Sequence, residues 1–324
     1  MIKIAVDIMG FENDISEAVL ACKEFLGNKK NLTIILVGDK DKININHCME
    51  VVDVKDFFSQ SDTVLSIRQK TNTSMQVLFN LLNHGKVDGV LSAGNSSIFT
   101  FLSYSTLGTI DNIDKVAFMP CIPTTDGSFF NMLDVGASLD IQPIDIVKFA
   151  LMANIFYSQY KKNPSIGILN IGTEKHKGFL LQQEADKLMM QTNLNYVGFV
   201  EPKNLLMHPV DIVLTDGFSG NLVLKTLEGT SKTIFNLLKK EYKKPKNFLG
   251  LLFSLGVFKN IKNQFDYKNN AGAIVLGVQK PCVKTHGSAD KKQFLSALRL
   301  LHDYISNKVI DNITSEVSKY GNKV

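Results

Sequence analysis

Tryptophan is absent from this chain of 324 residues, and arginine occurs only at Arg68 and Arg299. Lysine therefore carries almost all of the positive charge, and the formal net charge is a modest +5. A charge of this size fits anionic partners without selecting one. We expect no nucleic acid among them.

The four cysteines are scattered, with no C-x-x-C pair and no histidine at the spacing of a zinc site. This pattern predicts reduced thiols in a cytoplasmic protein and no bound metal. A G-x-G-x-x-G turn is also missing after the first apolar segment, which argues against a dinucleotide. We expect no cofactor.

Long apolar runs are missing as well, since none approaches the roughly 20 residues that span a bilayer. Residues 1–7 predict a buried strand rather than a signal peptide. A hydrophobic content of 44% and a charged content of 21% are typical of a globular protein and exclude disordered, collagen-like and coiled-coil classes. The length fits one catalytic unit, built as one large α/β domain or as two lobes.

Apolar, β-prone segments alternate with amphipathic segments along the chain. Strands are predicted at residues 3–6, 33–37, 51–54, 89–92, 116–121, 131–135, 165–170, 197–200, 211–215 and 282–284. The predicted helices include residues 16–26, 74–83, 143–160, 179–191, 222–242 and 289–317. This alternation predicts a three-layer α/β/α fold with a largely parallel sheet, and a hairpin around residues 123–127 makes that sheet mixed.

The turn at residues 216–221 follows an apolar run and precedes an amphipathic one. A strand that feeds a helix N-terminus through glycines suits an anion, because backbone N–H groups point outward there and glycine lets a phosphate approach closely. Asp216, Gly217, Gly220 and Asn221 are therefore candidate phosphate ligands. An ordinary turn in which Asp216 caps the helix explains this segment equally well.

Small and polar residues also follow other predicted strands. The segments at residues 92–97 and 134–137 make Ser92, Gly94, Asn95 and Asp134 candidates for an oxyanion or phosphate cradle. Taken alone, such a segment is more often a capped helix than a site.

Two further loops concentrate titratable side chains. The first contains Asn170, Gly172 and Lys177, which can bind an anion and polarise a carbonyl, although a solvated charged loop has the same composition. The second places His286 at the positive end of the last predicted helix. There an imidazole can act as a general acid or base, or can simply hydrogen-bond to a neighbouring carbonyl.

An uncharged run at residues 248–258 lies between two groups of lysines. It is too short to span a bilayer but can embed in its surface, with the lysines near anionic headgroups. We expect residues 244–265 to form a protruding amphipathic helical segment that contacts the membrane through Phe248, Leu251, Leu252, Phe253, Leu255, Val257 and Phe258. A helix pair buried in a dimer interface is the alternative, and both can hold together.

Nine segments, in order along the chain, resemble those of one known family. They are V-D-I-M-G (6–10), S-A-G-N (92–95), I-P-T (122–124), L-D-V-G-A (133–137), N-I-G (170–172), K-G (177–178), D-G-F-S-G-N (216–221), Lys284 and H-G-S (286–288). The set resembles the acyl-[acyl carrier protein]:phosphate acyltransferases, the PlsX family of bacterial phospholipid synthesis. The resemblance covers nearly the whole chain.

The chain departs from the family pattern at four places. Phe11-Glu12 stands where the family usually has Gly-Asp, and Lys115-Val116 where it has Arg-Pro. Thr173 replaces a glutamate, and the segment around Ala271 is a degraded Gly-Gly-x-Pro turn. Lys115 keeps the charge of the usual arginine but loses its bidentate geometry, so an anion contact there should be weaker.

The resemblance implies transfer of a long-chain acyl group from acyl carrier protein to inorganic phosphate. The acyl phosphate produced would serve a membrane-bound glycerol-phosphate acyltransferase. The implied fold is that of phosphotransacetylases and isopropylmalate-type dehydrogenases, usually dimeric. It would have two lobes sharing one sheet, at residues 1–120 plus 281–324 and at 121–280, with a cleft between them.

Phosphate is itself a nucleophile and a thiolate is a good leaving group, so the reaction needs positioning, charge shielding and an oxyanion hole. No cysteine lies in the motifs, which argues against an acyl-cysteine intermediate. We expect Lys177, Asn170 and His286 to be catalytic, with His286 or Asn170 polarising the carbonyl or protonating the sulfur. The remaining expected substrate contacts are Asp7, Gly10, Ser92, Gly94, Asn95, Asp134, Gly172, Asp216, Gly217, Gly220, Asn221, Lys225, Lys284 and Ser288.

Three other functions fit parts of the sequence. A short-chain phosphate acyltransferase acting on acetyl-CoA would not need the apolar run at residues 248–258. A nucleotide-dependent dehydrogenase of related fold would need the missing glycine-rich turn. A membrane-associated scaffold without activity is compatible with the departures near Phe11 and Ala271.

Overall fold

The computed structural model describes residues 1–27, 29–43, 49–242, 244, 254, 256–257, 260–261 and 272–321. Its strands are β1 (Ile2–Asp7), β2 (Leu32–Gly38), β3 (Glu50–Asp53), β4 (Gly89–Ser92), β5 (Ala117–Pro123), β6 (Phe129–Leu133), β7 (Ile166–Leu169), β8 (Tyr196–Val200), β9 (Ile212–Leu214), β10 (Ala273–Leu276) and β11 (Cys282–Lys284). Its α-helices are α1 (Ile15–Leu26), α2 (Ser74–Asn83), α3 (Ser96–Leu107), α4 (Pro143–Tyr157), α5 (Leu180–Met189), α6 (Gly217–Tyr242), α7 (Lys291–Ser306) and α8 (Val309–Gly321).

The described strands form one sheet in the order β3-β2-β1-β4-β11-β10-β5-β6-β9-β7-β8. The strands β3, β2, β1, β4 and β11 run parallel, and so do β6, β9, β7 and β8. Between these groups, β10 is antiparallel to β11 and β5, and β5 forms a hairpin with β6. The predicted mixed, mostly parallel sheet and its hairpin are therefore confirmed.

The central strands are apolar at consecutive positions because helices cover both of their faces. In β1, Ile4, Ala5 and Val6 are all fully buried. Val6 belongs to the core that includes α1, α4 and α7, whereas Ala5 belongs to the core with α2 and α3. Side chains two residues apart share a face, so Asp7, at the end of β1, lies on the α2–α3 side of the sheet.

Three local predictions differ from the structure. The predicted last helix is two helices, α7 and α8, because Lys308 adopts a left-handed φ of 50° between them. The four-residue strand β10 was not predicted, since it is short and follows the altered turn near Ala271. Helix α6 begins at Gly217 rather than at Leu222, so most of the predicted anion turn is the first turn of that helix.

The predicted membrane segment falls almost entirely outside the described residues. The structure does not describe Phe248, Leu251, Leu252, Phe253, Leu255 or Phe258, and it does not describe Ala271. Val257 is described and is 58% exposed. Within the described ranges, no helix combines the length and the apolar character that crossing a membrane requires.

Candidate active site

Three buried polar side chains stand side by side at the carboxyl ends of β1, β4 and β11. Asp7, Ser92 and Lys284 are register partners across these strands, and Ser92 Oγ donates to Asp7 Oδ2 over 2.9 Å. Burial raises the pKa of Asp7 to about 6, although hydrogen bonds from Ser74, Ser92 and Met9 oppose this effect. The sheet thus brings together three of the predicted ligands.

The amino group of Lys284 is held away from water. Lys284 is 4% exposed, and its Nζ donates to the backbone carbonyl of Thr285 over 2.7 Å. Burial, together with the positive charge of Lys225, lowers its pKa to about 7, and no carboxylate of the described chain counteracts the shift. A buried cation without a counter-ion is costly, so this position favours the binding of an anion.

His286 follows directly after this strand end, and its proton can be assigned. The backbone N–H of Ser288 donates to His286 Nδ1 over 3.2 Å, and Ser288 Oγ lies 2.8 Å from the same nitrogen. Burial lowers the pKa of His286, with two nearby lysines helping and Glu228 and Glu12 opposing. Because Nδ1 accepts, the neutral ring carries its proton on Nε2 and can donate a hydrogen bond from that atom.

Phe11 and Glu12, which depart from the family pattern after β1, connect their loop to the segment that contains His286. The ring of Phe11 meets the ring of Phe294 in α7 edge-on, with centroids 5.3 Å apart. The backbone N–H of Glu12 donates to the carbonyl of Gly287 over 2.7 Å. Gly10 has a φ of +71° and lies so close to a backbone carbonyl that a Cβ would clash with it.

Asn95 uses both ends of its amide inside the fold. Its Oδ1 accepts from the backbone N–H of Ile98 over 3.2 Å and so caps α3. Its Nδ2 donates to the backbone carbonyls of Ser59, Gln60 and Asp62, the last over 2.8 Å. Asn95 therefore positions the turn after β4, where Gly94 donates its N–H to Ser92 Oγ over 3.0 Å.

The anion cradle predicted around Asp134 is filled by the carboxylate of Asp134 itself. This side chain is fully buried and accepts from the backbone N–H groups of Phe118, Gly136, Ala137 and Ser138 at 2.6–3.1 Å. Burial raises its pKa to about 6 while these amides oppose the shift. Asp134 therefore holds the loop after β6 in shape.

The first turn of α6 packs tightly against that loop. Asp216 caps the helix by accepting from the N–H of Ser219 over 2.8 Å, as the ordinary-turn alternative expected. The Gly217 N–H donates to the carbonyl of Ser138 over 3.1 Å. A Cβ on Gly220 would overlap the backbone oxygen of Asp134, so glycine permits this close approach.

We expect Gly220→Ala to lower the free energy of unfolding by about 1–3 kcal/mol, because the added methyl group overpacks the contact with the loop. Gly229 in the same helix is the matched control, since a Cβ there meets nothing within 4 Å. Gly229→Ala should instead stabilise the helix by about 0.5–1 kcal/mol. Chemical denaturation measures both, and equal effects of the two changes would contradict the packing described.

Helix α6 links this loop to the buried lysine. Asn221 lies over Gly136, whose added Cβ would come within 3.6 Å of the Asn221 side chain. One turn later, Lys225 Nζ pairs with Glu228 Oε2 over 2.9 Å. Charges on both side chains act on His286, and that of Lys225 acts on Lys284. Electrostatic interactions therefore connect Lys225 and Glu228 of α6 with Lys284 and His286.

The loop after β7 forms a separate group. Asn170 Nδ2 donates to the backbone carbonyl of Lys177 over 3.0 Å, and Lys177 Nζ pairs with Glu174 over 2.8 Å. In the described chain, the side-chain bonds of Asn170 and Lys177 stay within this loop. Four strands separate β7 from β11 in the sheet, so the fold does not place Lys177 beside Lys284. Gly172 lies against the Lys177 stem, where a Cβ would come within 2.5 Å.

Two residues in the surroundings of Lys284 and His286 were not predicted from the sequence. Gln60 Nε2 donates to the carbonyl of Gly10 over 2.9 Å and lies near Gly287. It comes from a loop between β3 and α2, where no strand-to-helix turn marks it. Glu228 could have been found from its i+3 spacing to Lys225 on a predicted helix.

Comparisons with known proteins agree with this description. A family model described as "Fatty acid synthesis protein" matches residues 2–312. The chain is 48% identical over 325 residues to a phosphate acyltransferase of Ureaplasma parvum serovar 3, with 98% of each chain covered. It is 45% identical over 327 residues to a phosphate acyltransferase of Mycoplasma genitalium, again with 98% of each covered.

Solved structures share the fold at low identity. A phosphotransacetylase from Streptococcus pyogenes matches with a TM-score of 0.59 at 13% identity, covering 96% of this chain and 94% of that one. A branched-chain phosphotransacylase from Enterococcus faecalis matches with a TM-score of 0.56 at 13% identity, covering 93% and 98%. These matches confirm the predicted phosphotransacetylase-like architecture. The family match and the full-length relatives show that the chain belongs to the fatty acid synthesis protein family, the acyltransferase family that its motifs resemble.

Proposed function

We propose that this protein transfers a long-chain acyl group from the thioester of acyl carrier protein to inorganic phosphate. The products are acyl phosphate and the free thiol of the carrier. The single observation that carries the proposal is the buried Lys284 ammonium, a cation without a carboxylate partner in the described chain, beside the Nε2–H donor of His286. The names of the relatives support the reaction class.

In the proposed mechanism, phosphate binds near Lys284 and Ser92, with Lys225 adding positive charge. A phosphate oxygen attacks the thioester carbon, forming a C–O bond while the carbonyl oxygen becomes an oxyanion. The His286 Nε2–H stabilises that oxyanion. The C–S bond then breaks, and the sulfur leaves as a thiolate that takes a proton from water, while the phosphate gives up its own proton to water as it becomes the acyl phosphate. The residues alone supply the chemistry, so no metal or cofactor is required.

The remaining predicted contacts take supporting roles in this proposal. Asp7, Gly10, Gly94 and Asn95 shape the phosphate side of the site. Asp134, Gly217 and Gly220 fix the start of α6, which carries Asn221 towards the substrate. We further propose that Lys177 and Asn170, on their separate loop, contact the donor away from the phosphate.

Comparison of two donors tests the proposal. Palmitoyl-acyl carrier protein should support acyl-phosphate formation, measured as the hydroxamate that forms with hydroxylamine only when phosphate is present, whereas acetyl-CoA should not. The reverse preference would favour the short-chain alternative. If neither donor gives phosphate-dependent hydroxamate, a scaffold without activity is favoured.

We also propose a homodimer that pairs through α6. Ile234 and Leu237 are 52% and 58% exposed, and with Leu238 they lie three and four residues apart on one face of the helix. We expect Ile234→Glu to shift the protein from dimer to monomer in sedimentation velocity. The exposed Asn236, on the opposite side of the helix, offers the matched control Asn236→Glu, which should remain dimeric. A monomeric parent protein would contradict the proposal.

The proposed site of action is the cytoplasmic membrane surface, where a membrane-bound glycerol-phosphate acyltransferase would consume the product. Lysines flank the uncharged run at residues 248–258, and such a segment attaches to anionic bilayers. We expect the double change Leu252→Glu and Phe253→Glu to release the protein from vesicles containing anionic lipid. Equal flotation of parent and variant would contradict membrane attachment through this segment.

A further inference from the structure

A groove of about 440 Å³ lies between α3 and the loop that follows β6. Its volume falls within the range of about 300–1,000 Å³ that small-molecule sites occupy. One wall is a face of α3 formed by Ser97, Thr100, Phe101 and Tyr104, whose spacing places them on one side of the helix. The other wall is the loop of residues 136–140.

The groove exposes large apolar side chains. Phe101 is 42% exposed, Tyr104 is 50% exposed and Leu139 is 69% exposed. Val116 and Ala137 add further apolar surface to the lining. Aromatic and aliphatic side chains that are exposed together in a concavity indicate a site for an apolar ligand.

Both walls of the groove begin at the candidate active site. Helix α3 is capped by Asn95, directly after the turn that carries Ser92. Gly136 of the opposite wall lies against Asn221. From Ser97 to Tyr104 the helix rises by about 10 Å, at about 1.5 Å per residue. The groove therefore leads away from the site along α3.

We propose that this groove holds the fatty acyl chain of the donor and sets the chain length that the enzyme accepts. The proposal rests on the proposed function. A pantetheine arm is the competing occupant, but its phosphodiester would need positive charge. The charged lining residues Asp114, Lys115 and Asp140 give the groove no positive excess, and an uncharged alkyl chain needs none.

Filling the groove tests this assignment. Thr100→Phe places a ring on the α3 wall, and Ala137→Leu narrows the groove from the opposite wall. The control Ser105→Phe adds the same ring at an exposed position of α3 outside the groove. The assay compares kcat/KM for palmitoyl- and octanoyl-acyl carrier protein.

Each methylene lost from an apolar site lowers affinity about fourfold, so we expect both groove variants to lower the palmitoyl-to-octanoyl ratio of kcat/KM at least tenfold. Ser105→Phe should keep the parent ratio. An unchanged ratio in both groove variants, or the same change in the control, would overturn the assignment. If the groove held the pantetheine arm instead, the groove variants would lower kcat/KM equally for both donors.

A binding titration separates this proposal from the proposed function, since it needs no turnover. The probe is cis-parinaric acid, a fatty acid whose fluorescence rises in apolar surroundings. We expect Thr100→Phe to weaken probe binding at least fivefold and Ser105→Phe to leave it unchanged. If the parent protein transfers no acyl group, the proposed function fails, but this titration still tests whether the groove binds an acyl chain. Equal probe affinity in parent and Thr100→Phe would overturn it.

Discussion

Replacing Lys284 with methionine should reduce phosphate-dependent acyl transfer at least 100-fold and at the same time stabilise the protein. The loss follows because the buried ammonium is the proposed counter-charge for phosphate, and removal of one preorganised charge or donor costs about 10²–10³ in rate. The gain follows because methionine is an apolar side chain of similar length in a buried position. Replacing buried charges with apolar groups stabilises by about 1–4 kcal/mol in favourable cases.

The stabilisation should depend on pH in a defined direction. Burial lowers the pKa of Lys284 from 10.5 to about 7, so between these values the unfolded chain binds a proton that the folded chain does not. The stability of the parent protein therefore rises with pH across this window. The advantage of Lys284→Met should be complete below pH 7 and should fade as the pH approaches 10.5.

Urea denaturation at pH 6 and pH 9, together with the acyl-transfer assay, measures both effects. Lys280, just before β11, is the matched control because its Nζ also donates to backbone carbonyls, those of Leu82 and Asn83. Lys280→Met should keep activity and should not stabilise the protein. Activity near the parent level in Lys284→Met would contradict the proposed phosphate site.

Replacing His286 with alanine should lower kcat about 10²–10³-fold, with little change in the KM for phosphate. Its Nε2–H is proposed to stabilise the oxyanion that forms on the carbonyl oxygen, and removal of one such donor costs a factor of this size. Gln places an amide N–H near the position of Nε2, so His286→Gln should recover part of the lost kcat. A change confined to KM would instead assign His286 to substrate binding.

The pH profile provides a second test of His286. Its pKa lies below the ordinary value of 6.5 because of burial, and the proposed donor is the neutral ring. On the acid side of the profile, activity of the parent protein should therefore be lost only as the pH falls below 6.5. That acid limb should disappear from the residual activity of His286→Gln, and its persistence would show that another group titrates.

The sequence predicts the architecture well because the fold rests on local patterns. Consecutive apolar residues such as those of β1 mark strands covered on both faces, and most helices carry an amphipathic face. Short or atypical elements escape these patterns. Helix α3 lacks a clear amphipathic pattern because Ser and Thr are interspersed among its apolar residues, and β10 has only four residues.

The candidate site is predicted in its parts but not in its assembly. The polar turns were found because each follows a strand. Residue types do not reveal the backbone geometry of these turns. That geometry lets Asp134 accept hydrogen bonds from the amides of its own loop and lets Asp216 cap α6. The separation of Lys177 from Lys284 depends on strand order, which places β7 far from β11. The burial of Lys284 depends on packing by segments that are distant in the sequence.

The most direct test of the central claim is the release of carrier thiol from palmitoyl-acyl carrier protein by the purified protein, with and without inorganic phosphate. We predict release only when phosphate is present, in equal amount to the acyl phosphate trapped as hydroxamate, and strongly reduced release by Lys284→Met. Release that proceeds equally without phosphate would show hydrolysis rather than transfer, and would contradict the assignment of a phosphate acyltransferase site to Lys284 and His286.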